Sequence, residues 1–522
     1  VGMTGYVLRD PALVRKALLG LDGSGRYGFL RRMDLLFSPD GYYTEGPYYQ
    51  RYALQPFVVL ARAVEQNEPQ RRIFERRDGV LLKAVRTAIQ LTYRGYFFPL
   101  NDALKDKGLW TDELYYGVAI AYAQSRDDTL LSIAELQYRT VLSPDGLALA
   151  EALAEGRARP FPFASLRLRD GPDGDRGDLV VLRDGDSQTG QALVMKNTAQ
   201  GMGHGHFDKL AWMLYDNGEE VITDYGAARF LNVEAKQGGR YLPENDSYAQ
   251  QTIAHNTLVV DEHSHFDGDW KRGERAAPTP LFFATDEETQ IAAARMDGAY
   301  AGVSFTRTLA MLRHADFEHP VVVDLLKVSG SEAAQYDLPL HYRGQITEVG
   351  FPVERELEAR PVLGKRNGYQ HLWVDATGTA ESGEAFLTWL LGDRFYTYRF
   401  IPPPDATLIL AETGANDPDF NLRHEPVLIQ RVDDATTATF VSLLEPHGRY
   451  DGAAETVRGE PSQISALEHF AGDDGDLIRI TTAAGGRILL AVGASAARDR
   501  THRIMLNGRP YEWQGYYARF DE

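Results

Sequence analysis

Apolar residues in the first 140 positions recur at intervals of three and four, the spacing of one face of an α-helix. Three stretches show this spacing clearly, at 50–65, 79–94 and 112–124. A further helix is predicted to begin at Asp10-Pro11, because proline is tolerated in the first helical turn. No stretch in this region alternates apolar and polar residues as a strand does. We therefore predict a helical domain over residues 1–160.

The pattern changes around 155–175, where a run rich in proline, glycine and aspartate ends the helical periodicity. Short β-type runs follow, at 179–182, 192–195, 221–223, 257–260, 321–323, 408–410, 440–443 and 488–490. Asp216-Asn217-Gly218 lies between two apolar runs and predicts a tight hairpin turn. We predict an α+β multidomain chain with an antiparallel sandwich over 161–400 and a C-terminal sheet over 401–522.

Composition and charge exclude several classes of function. The 522 residues carry 55 basic and 74 acidic side chains, a net charge of −19, which argues against a general nucleic-acid binder. No apolar run is long enough to cross a membrane as a helix. Cysteine is absent, so disulfides and thiol chemistry are excluded. An anionic substrate remains compatible, because a few cations in a cleft can reverse the local sign.

Candidate chemistry concentrates in residues 204–257. His204 and His206 are two apart, so in an extended segment both imidazoles would point to the same face. Asp224 ends one apolar run and His255 begins another. Two histidines and an aspartate on neighbouring strands would suit zinc. Their spacing matches no short zinc motif, so polar residues at strand ends remain the alternative.

Two stretches resemble a known family. Residues 38–52 are similar to the toroid signature of the heparinase II/III-like polysaccharide lyases, and 204–210, 224–226 and 254–257 are similar to their sheet signature. Within this group the chain resembles alginate lyase family 17, the oligoalginate lyases, and further similar stretches are 228–230, 238–241 and 251–255. The resemblance implies an incomplete (α/α) toroid followed by antiparallel β-sheets.

The activity implied by the resemblance is exolytic β-elimination at uronate residues of alginate or oligoalginate. The implied catalytic residues are Tyr49, His204 and Tyr241. The implied substrate contacts are Tyr48, Tyr52 and Arg229. The tyrosine-rich run has an alternative interpretation as an aromatic wall that packs the domain or stacks on sugar rings. Tyr48 is the neighbour to which the role of Tyr49 would pass if the register differed.

The resemblance also implies that His206, Asp224 and His255 hold a zinc ion with a structural role, while His204 faces the substrate. The alternative is a zinc ion that activates water for hydrolysis. We favour the structural role, because elimination consumes no water.

The family's Asn-His pair would align a few residues before Val1. We expect that the native chain extends further and that adding the upstream helix raises turnover by orders of magnitude. The implied partner is an anionic uronate polysaccharide or oligosaccharide, without nucleic acid or membrane, and a homodimer is compatible. The resemblance favours a bacterial periplasmic or secreted protein. The competing hypotheses are a glycosaminoglycan lyase of the same fold and a non-catalytic uronate-binding protein.

Overall fold

The computed structural model describes residues 1–229, 231, 242–355, 358–380 and 383–522. Its N-terminal part, from Gly2 to Ala154, is largely helical, as predicted, and is called the helical half below. The helices of this half are α1 (Gly2–Leu8), α2 (Pro11–Leu19), α3 (Gly28–Leu36), α4 (Pro47–Asn67), α5 (Arg76–Gln90), α6 (Asp112–Ser125), α7 (Thr129–Gln137) and α8 (Pro144–Ala154). A small hairpin, β1 (Thr92–Tyr93) and β2 (Tyr96–Phe97), connects α5 to α6.

Local sequence explains where these helices begin and which face they bury. The Asp10 carboxylate accepts hydrogen bonds from the Ala12 and Leu13 backbone N–H groups, which caps α2 ahead of Pro11. The periodic apolar residues Leu54 and Val58 of α4 lie fully buried in the helical core. Among the described residues, no helix combines the length and the apolar character that crossing a membrane would require.

A five-stranded antiparallel sheet follows the helices. Its strands pair in chain order and are β3 (Leu166–Arg169), β4 (Gly177–Asp184), β5 (Gln191–Thr198), β6 (Ala211–Asp216) and β7 (Glu219–Ile222). The predicted hairpin turn joins β6 to β7, with Asn217 and Gly218 both at positive φ, 51° and 83°. Both faces of this sheet are covered: Val194 and Met213 pack on the helical half, and Leu193 on the next sheet.

A twelve-stranded antiparallel sheet forms the centre of the molecule. Its strands are β8 (Val259–Val260), β9 (Thr279–Thr285), β10 (Thr289–Tyr300), β11 (Val303–Leu312), β12 (Val321–His341), β13 (Gln345–Val349), β14 (Val353–Arg355), β15 (Leu372–Thr379), β16 (Ala385–Leu391), β17 (Arg394–Ile401), β18 (Thr407–Thr413) and β19 (Pro426–His447). The main order is β13-β16-β17-β19-β12-β11-β10-β9. A short helix, α9 (Trp270–Arg275), precedes β9. The two longest strands, β12 and β19, pair from Val322–Leu444 to His341–Val427.

The C-terminal part adds smaller sheets against the outer face of the twelve-stranded sheet. The strands are β20 (Arg449–Asp451), β21 (Thr456–Arg458), β22 (Ile464–Gly472), β23 (Gly475–Thr482), β24 (Arg487–Gly493), β25 (Thr501–Leu506), β26 (Arg509–Gln514) and β27 (Tyr517–Asp521). Ile478 and Leu490 pack there against Val323 and Leu443. The domain division near 400 stays a prediction; β18 and β19 follow that point and belong to the same sheet as β12 and β17.

Candidate active site

The start of helix α4 is held in place by the loop that precedes it. Gly41 has φ 81°, and a Cβ there would lie 2.5 Å from the Ala84 backbone nitrogen, so the loop runs directly against α5. The Gln50 side chain donates to the backbone oxygens of Gly41 and Ala84, at 2.9 and 3.0 Å. These contacts fix the first turn of α4, which carries Tyr49.

Tyr49 contacts His204 across the boundary between the two halves of the molecule. The tyrosine and imidazole rings stack with centroids 3.7 Å apart and an interplanar angle of 14°. Tyr49 lies in the first turn of a long helix. The positive end of the helix dipole stabilises a negative charge there, and so favours the phenolate form of the side chain. The structure therefore brings together two of the three predicted catalytic residues. The third, Tyr241, lies outside the described residues.

Tyr48 and Tyr52 surround Tyr49 on the same helix. Tyr48 is 3% exposed and packs edge-on against both other tyrosines, whereas Tyr52 is 48% exposed and offers its ring to solvent. The Arg51 guanidinium lies over the Tyr52 ring at 3.8 Å and pairs with Glu113 at 2.8 Å. The buried Arg51 thus supports the Tyr52 ring from below, and the exposed ring suits a sugar, which presents an apolar face.

The segment around His204 is not extended. Met202–His204 form a 3-10 turn, and the chain becomes extended only at Gly205. His204 is therefore partly exposed, with 23% of its side chain accessible, while His206 is fully buried. The two histidines therefore do not share one face, as they would in the extended segment considered from the sequence.

Asp102 connects these two histidines. Its Oδ2 lies 3.1 Å from His204 Nδ1 and its Oδ1 lies 3.1 Å from His206 Nε2. The side chains of Asn245 and Gln250 donate to the same Oδ1, at 2.7 and 3.4 Å. Burial raises the pKa of this carboxyl, but the hydrogen bonds from the two histidines outweigh burial and hold it well below its usual range.

His206, Asp224 and His255 form a buried cluster behind this contact, with one ligand atom of each within 4.8 Å of the others. His255 Nδ1 lies 3.0 Å from Asp224 Oδ2, and its Nε2 lies 3.0 Å from the Ala249 carbonyl oxygen. His206 Nδ1 is buried without a hydrogen-bond partner. An unpaired imidazole nitrogen beside a carboxylate and a second imidazole fits a zinc ion, whose protein ligands are of these types.

Electrostatics inside the cluster keep the carboxylate ionised. Burial raises the pKa of Asp224, but the charges of His255 and His206 and the hydrogen bond from His255 outweigh it and leave the pKa well below its usual range. Asp224 lies two residues after the end of β7 and also accepts a hydrogen bond from the Gly226 N–H at 2.9 Å. Asp224 thus offers an ionised carboxylate oxygen, the kind of ligand that a divalent cation binds.

Arg229 lines a separate cavity of about 470 Å³ together with Lys105 and Arg423. Lys105 pairs with Glu220 at 2.7 Å and Arg423 with Glu425 at 2.6 Å. The Arg229 Nε is buried and has no hydrogen-bond partner among the described residues. Two of the three cations are thus paired with glutamates, and Arg229 is the cationic side chain that could contact a carboxylate.

Sequence reasoning missed Asp102 and Arg51. Asp102 follows Asn101 inside an otherwise apolar run, 97–104, between β2 and α6. Two adjacent polar residues in such a run are the signal that could have identified it, because buried polar groups require partners. Arg51 lies inside the tyrosine-rich run, and a cationic residue next to several tyrosines is the signal that could have identified it.

Comparison with known proteins reveals similarity over the whole chain. A family model described as "Heparinase II/III-like, C-terminal" matches residues 166–455. An alginate lyase of Stenotrophomonas maltophilia is 59% identical over 520 residues, covering 100% of this chain and 70% of that protein. An exo-oligoalginate lyase of Saccharophagus degradans is 50% identical over 519 residues, covering 99% and 70%.

Solved structures share the fold at low identity. A heparinase III gene product superposes with a TM-score of 0.65 at 13% identity, covering 94% of this chain and 64% of that chain. A mutant of a heparan sulfate lyase from Pedobacter heparinus gives a TM-score of 0.63 at 12% identity, covering 95% and 65%. The chain thus spans less than two thirds of either solved structure, and both likenesses concern the toroid-and-sheet architecture alone.

Proposed function

Since the chain belongs to the heparinase II/III-like family of polysaccharide lyases, we propose that it cleaves oligoalginate by β-elimination, acting from a chain end. The relatives that are 59% and 50% identical are named as an alginate lyase and an exo-oligoalginate lyase, which supports this substrate. The proposed product is an unsaturated uronate.

The observation that carries the proposal is the stack of Tyr49 on His204 at 3.7 Å. β-Elimination needs a group that moves a proton next to a group that neutralises the substrate carboxylate, because the carbon acid is very weak while that carboxylate is charged. A phenolate can accept a proton, and the phenol formed in this way can then donate it. An imidazole beside it can donate a hydrogen bond to the carboxylate through Nε2 when that nitrogen also carries a proton, while Nδ1–H donates to Asp102.

The roles divide between the two halves of the molecule. As a phenolate, Tyr49 is proposed to take the proton from the carbon next to the carboxylate, and the phenol formed in this way is proposed to protonate the leaving glycosidic oxygen. His204 is proposed to hold the carboxylate of the uronate that reacts, and Arg229 to contact a substrate carboxylate from the cavity that it lines. Tyr241 is kept as the second tyrosine of the site. Tyr52 offers an exposed ring on which a sugar can stack. Tyr48 is buried and packs against the rings of Tyr49 and Tyr52.

A zinc ion held by His206, Asp224 and His255 is proposed as a structural brace. When bound, it would fix the loops before β6 and after β7 to each other. The chemistry on the sugar is assigned to Tyr49 and His204, whose ring contact lies on the partly exposed side of the 202–206 segment, whereas the three proposed ligands are fully or almost fully buried.

The proposal is tested by incubating the protein with polymannuronate, polyguluronate, heparan sulfate and chondroitin sulfate, and following the ultraviolet absorbance of unsaturated uronate. We expect a rise on at least one alginate block, with monomeric product appearing from the first time points. A rise on a glycosaminoglycan alone would replace the alginate proposal with the glycosaminoglycan one. Binding without turnover on every polymer would identify a uronate-binding protein instead.

Hydrolysis by a zinc-activated water is tested separately. Digestion in water enriched in heavy oxygen, with products reduced at once to stop exchange at the anomeric carbon, should leave the new reducing ends unlabelled. Elimination breaks the C4–O bond and keeps the original glycosidic oxygen on C1, whereas hydrolysis would place solvent oxygen there. Label in the product, together with a product that does not absorb in the ultraviolet, would contradict elimination.

A further inference from the structure

We propose that Asp102 is a positioning residue that sets the orientation and tautomer of both His204 and His206, and so couples the zinc brace to the reactive face of the site. The part of this inference that concerns turnover rests on the proposed function. The part that concerns the two imidazoles and the metal does not.

The first argument is the number of donors that meet at one buried carboxylate. Asp102 receives His204 Nδ1 and His206 Nε2 at 3.1 Å each, one on each oxygen, and Asn245 Nδ2 at 2.7 Å. Its own backbone N–H donates to the His204 carbonyl oxygen at 3.2 Å. The side chain and the backbone of Asp102 therefore both form hydrogen bonds to the 204–206 segment.

The second argument concerns the imidazole protons. A carboxylate that accepts these hydrogen bonds has no proton to give, so the nitrogen facing it on each histidine carries the N–H. This places the proton of His206 on Nε2 and leaves a lone pair on Nδ1, the atom that is buried without a partner beside Asp224 and His255. It places a proton of His204 on Nδ1, so Nε2 is the nitrogen left for the substrate, and it donates to the substrate carboxylate only when it carries a second proton.

The third argument is that Asp102 is itself well anchored. Asn245 begins a short π-helical turn, Asn245–Ala249, whose last residue supplies the carbonyl oxygen that contacts His255 Nε2. The preceding residue, Asn101, has φ 64° and accepts a hydrogen bond from Lys196 at 2.5 Å. Lys196 in turn pairs with Asp208 at 2.6 Å. Asp102 is thus fixed at the point where the helical half, the 202–206 segment and the metal cluster meet.

The test compares Asp102→Asn with the wild-type chain. Asparagine keeps the shape but offers one acceptor oxygen, and its NH₂ group must face one of the two histidines. That histidine must then present a lone pair where it carried a proton. We expect kcat on oligoalginate to fall about 10–100-fold with a smaller change in KM, and zinc affinity measured by chelator competition to fall by a similar factor.

Two controls separate positioning from loss of structure. Asp170→Asn alters another buried aspartate at the junction, which accepts from Thr44 and Ala199 and contacts neither histidine. We expect it to lower stability without changing zinc affinity or kcat per folded molecule. The second control measures Asp102→Asn at saturating zinc: the loss in kcat should persist, because His204 is still misoriented.

Imidazole ¹⁵N spectra of zinc-free protein provide a readout independent of turnover. In the wild type, His206 should be the Nε2–H tautomer and His204 the Nδ1–H tautomer, and Asp102→Asn should change at least one of them. The dual role is overturned by unchanged tautomers, by full recovery of kcat at saturating zinc, or by equal effects of Asp170→Asn. If the wild type is inactive on every uronate, the proposed function fails, while zinc affinity and tautomers still decide the role of Asp102.

Discussion

At the scale of single residues, the proposed chemistry depends on the phenol of Tyr49. Replacing Tyr49 with phenylalanine removes the hydroxyl and keeps the ring that stacks on His204. We expect kcat to fall by about 10²–10⁴-fold, the usual contribution of a proton-transferring group, with little change in KM. Initial rates on defined oligoalginates measure this loss, and circular dichroism verifies the fold.

Tyr48→Phe is the matched variant, since Tyr48 precedes Tyr49 and lies buried against it. It should lose less than about tenfold in kcat, because its hydroxyl is not assigned to proton transfer. The reverse ranking of the two variants would move the acid/base role to Tyr48.

A second residue-scale prediction concerns Lys209, which is fully buried and donates to the Thr198 carbonyl oxygen at 3.0 Å. Burial, aided by nearby Lys196, lowers the pKa of Lys209 to about 7. The folded-state pKa is below the unfolded one, so the unfolded chain binds more protons between about pH 7 and 10. The contribution of Lys209 to the free energy of unfolding therefore increases as the pH rises from about 7 to 10.

Urea unfolding of the wild type and Lys209→Met at several pH values from 7.5 to 9.5 measures this effect. The wild type should gain on the variant by up to about 1.4 kcal/mol per pH unit. A pH-independent difference between the two proteins would show that the lysine stays protonated in the fold.

The residues of the site illustrate how far sequence reasoning reached. Motif resemblance predicted Tyr49 and His204 as partners, although 155 positions separate them in the chain, and the structure places them in contact. Spacing alone could not distinguish His204 from His206, because the answer depends on a 3-10 turn at Met202–His204. Asp102 belongs to neither motif, and its role arises only when three distant segments meet.

At the scale of elements, the approach of the 38–46 loop to α5 determines where α4 begins. Gly41→Ala would force a side chain into positive φ and 2.5 Å from the Ala84 nitrogen. We expect a loss of roughly 2 kcal/mol or more in the free energy of unfolding, with lower activity because Tyr49 shifts. Thermal and urea unfolding measure the loss.

Gly156→Ala is the control, because Gly156 also has positive φ, 68°, but nothing lies within 4 Å of a Cβ there. It should cost only about 1 kcal/mol and leave activity unchanged. Equal losses in both variants would attribute the effect to backbone conformation alone.

The predicted elements succeeded where a local signal was strong. Helices α2, α4 and α6 follow from apolar periodicity and from Pro11, and the β6–β7 turn follows from Asn217-Gly218. The order of strands in the twelve-stranded sheet was beyond reach, since β12 pairs with β19 across about a hundred intervening residues. No local pattern encodes such a pairing.

At the scale of the whole molecule, zinc is expected to contribute to stability. A ligand that binds only the folded state at about a hundredfold above its dissociation constant stabilises by ~2.7 kcal/mol. A chelator should therefore lower the thermal midpoint of the wild type, and added zinc should restore it. Metal analysis before and after chelation measures occupancy.

Asp224→Asn is the control, because it removes a proposed ligand. Its midpoint should be lower than that of the wild type and should not respond to the chelator. A wild-type midpoint that is equally insensitive, in protein free of metal, would contradict a zinc brace.

The pairing of β12 with β19 has a consequence for how the chain is made. The two strands form the middle of the central sheet, yet the second ends only at His447. When only residues 1–425 have emerged from the ribosome, the edge of β12 that will pair with β19 has no partner strand. That edge can pair with other chains. Such distant pairing is also slow to form. We infer that chaperone occupancy during synthesis is greatest between the emergence of β12 and that of β19, and that nonsense mutations in this interval yield aggregates.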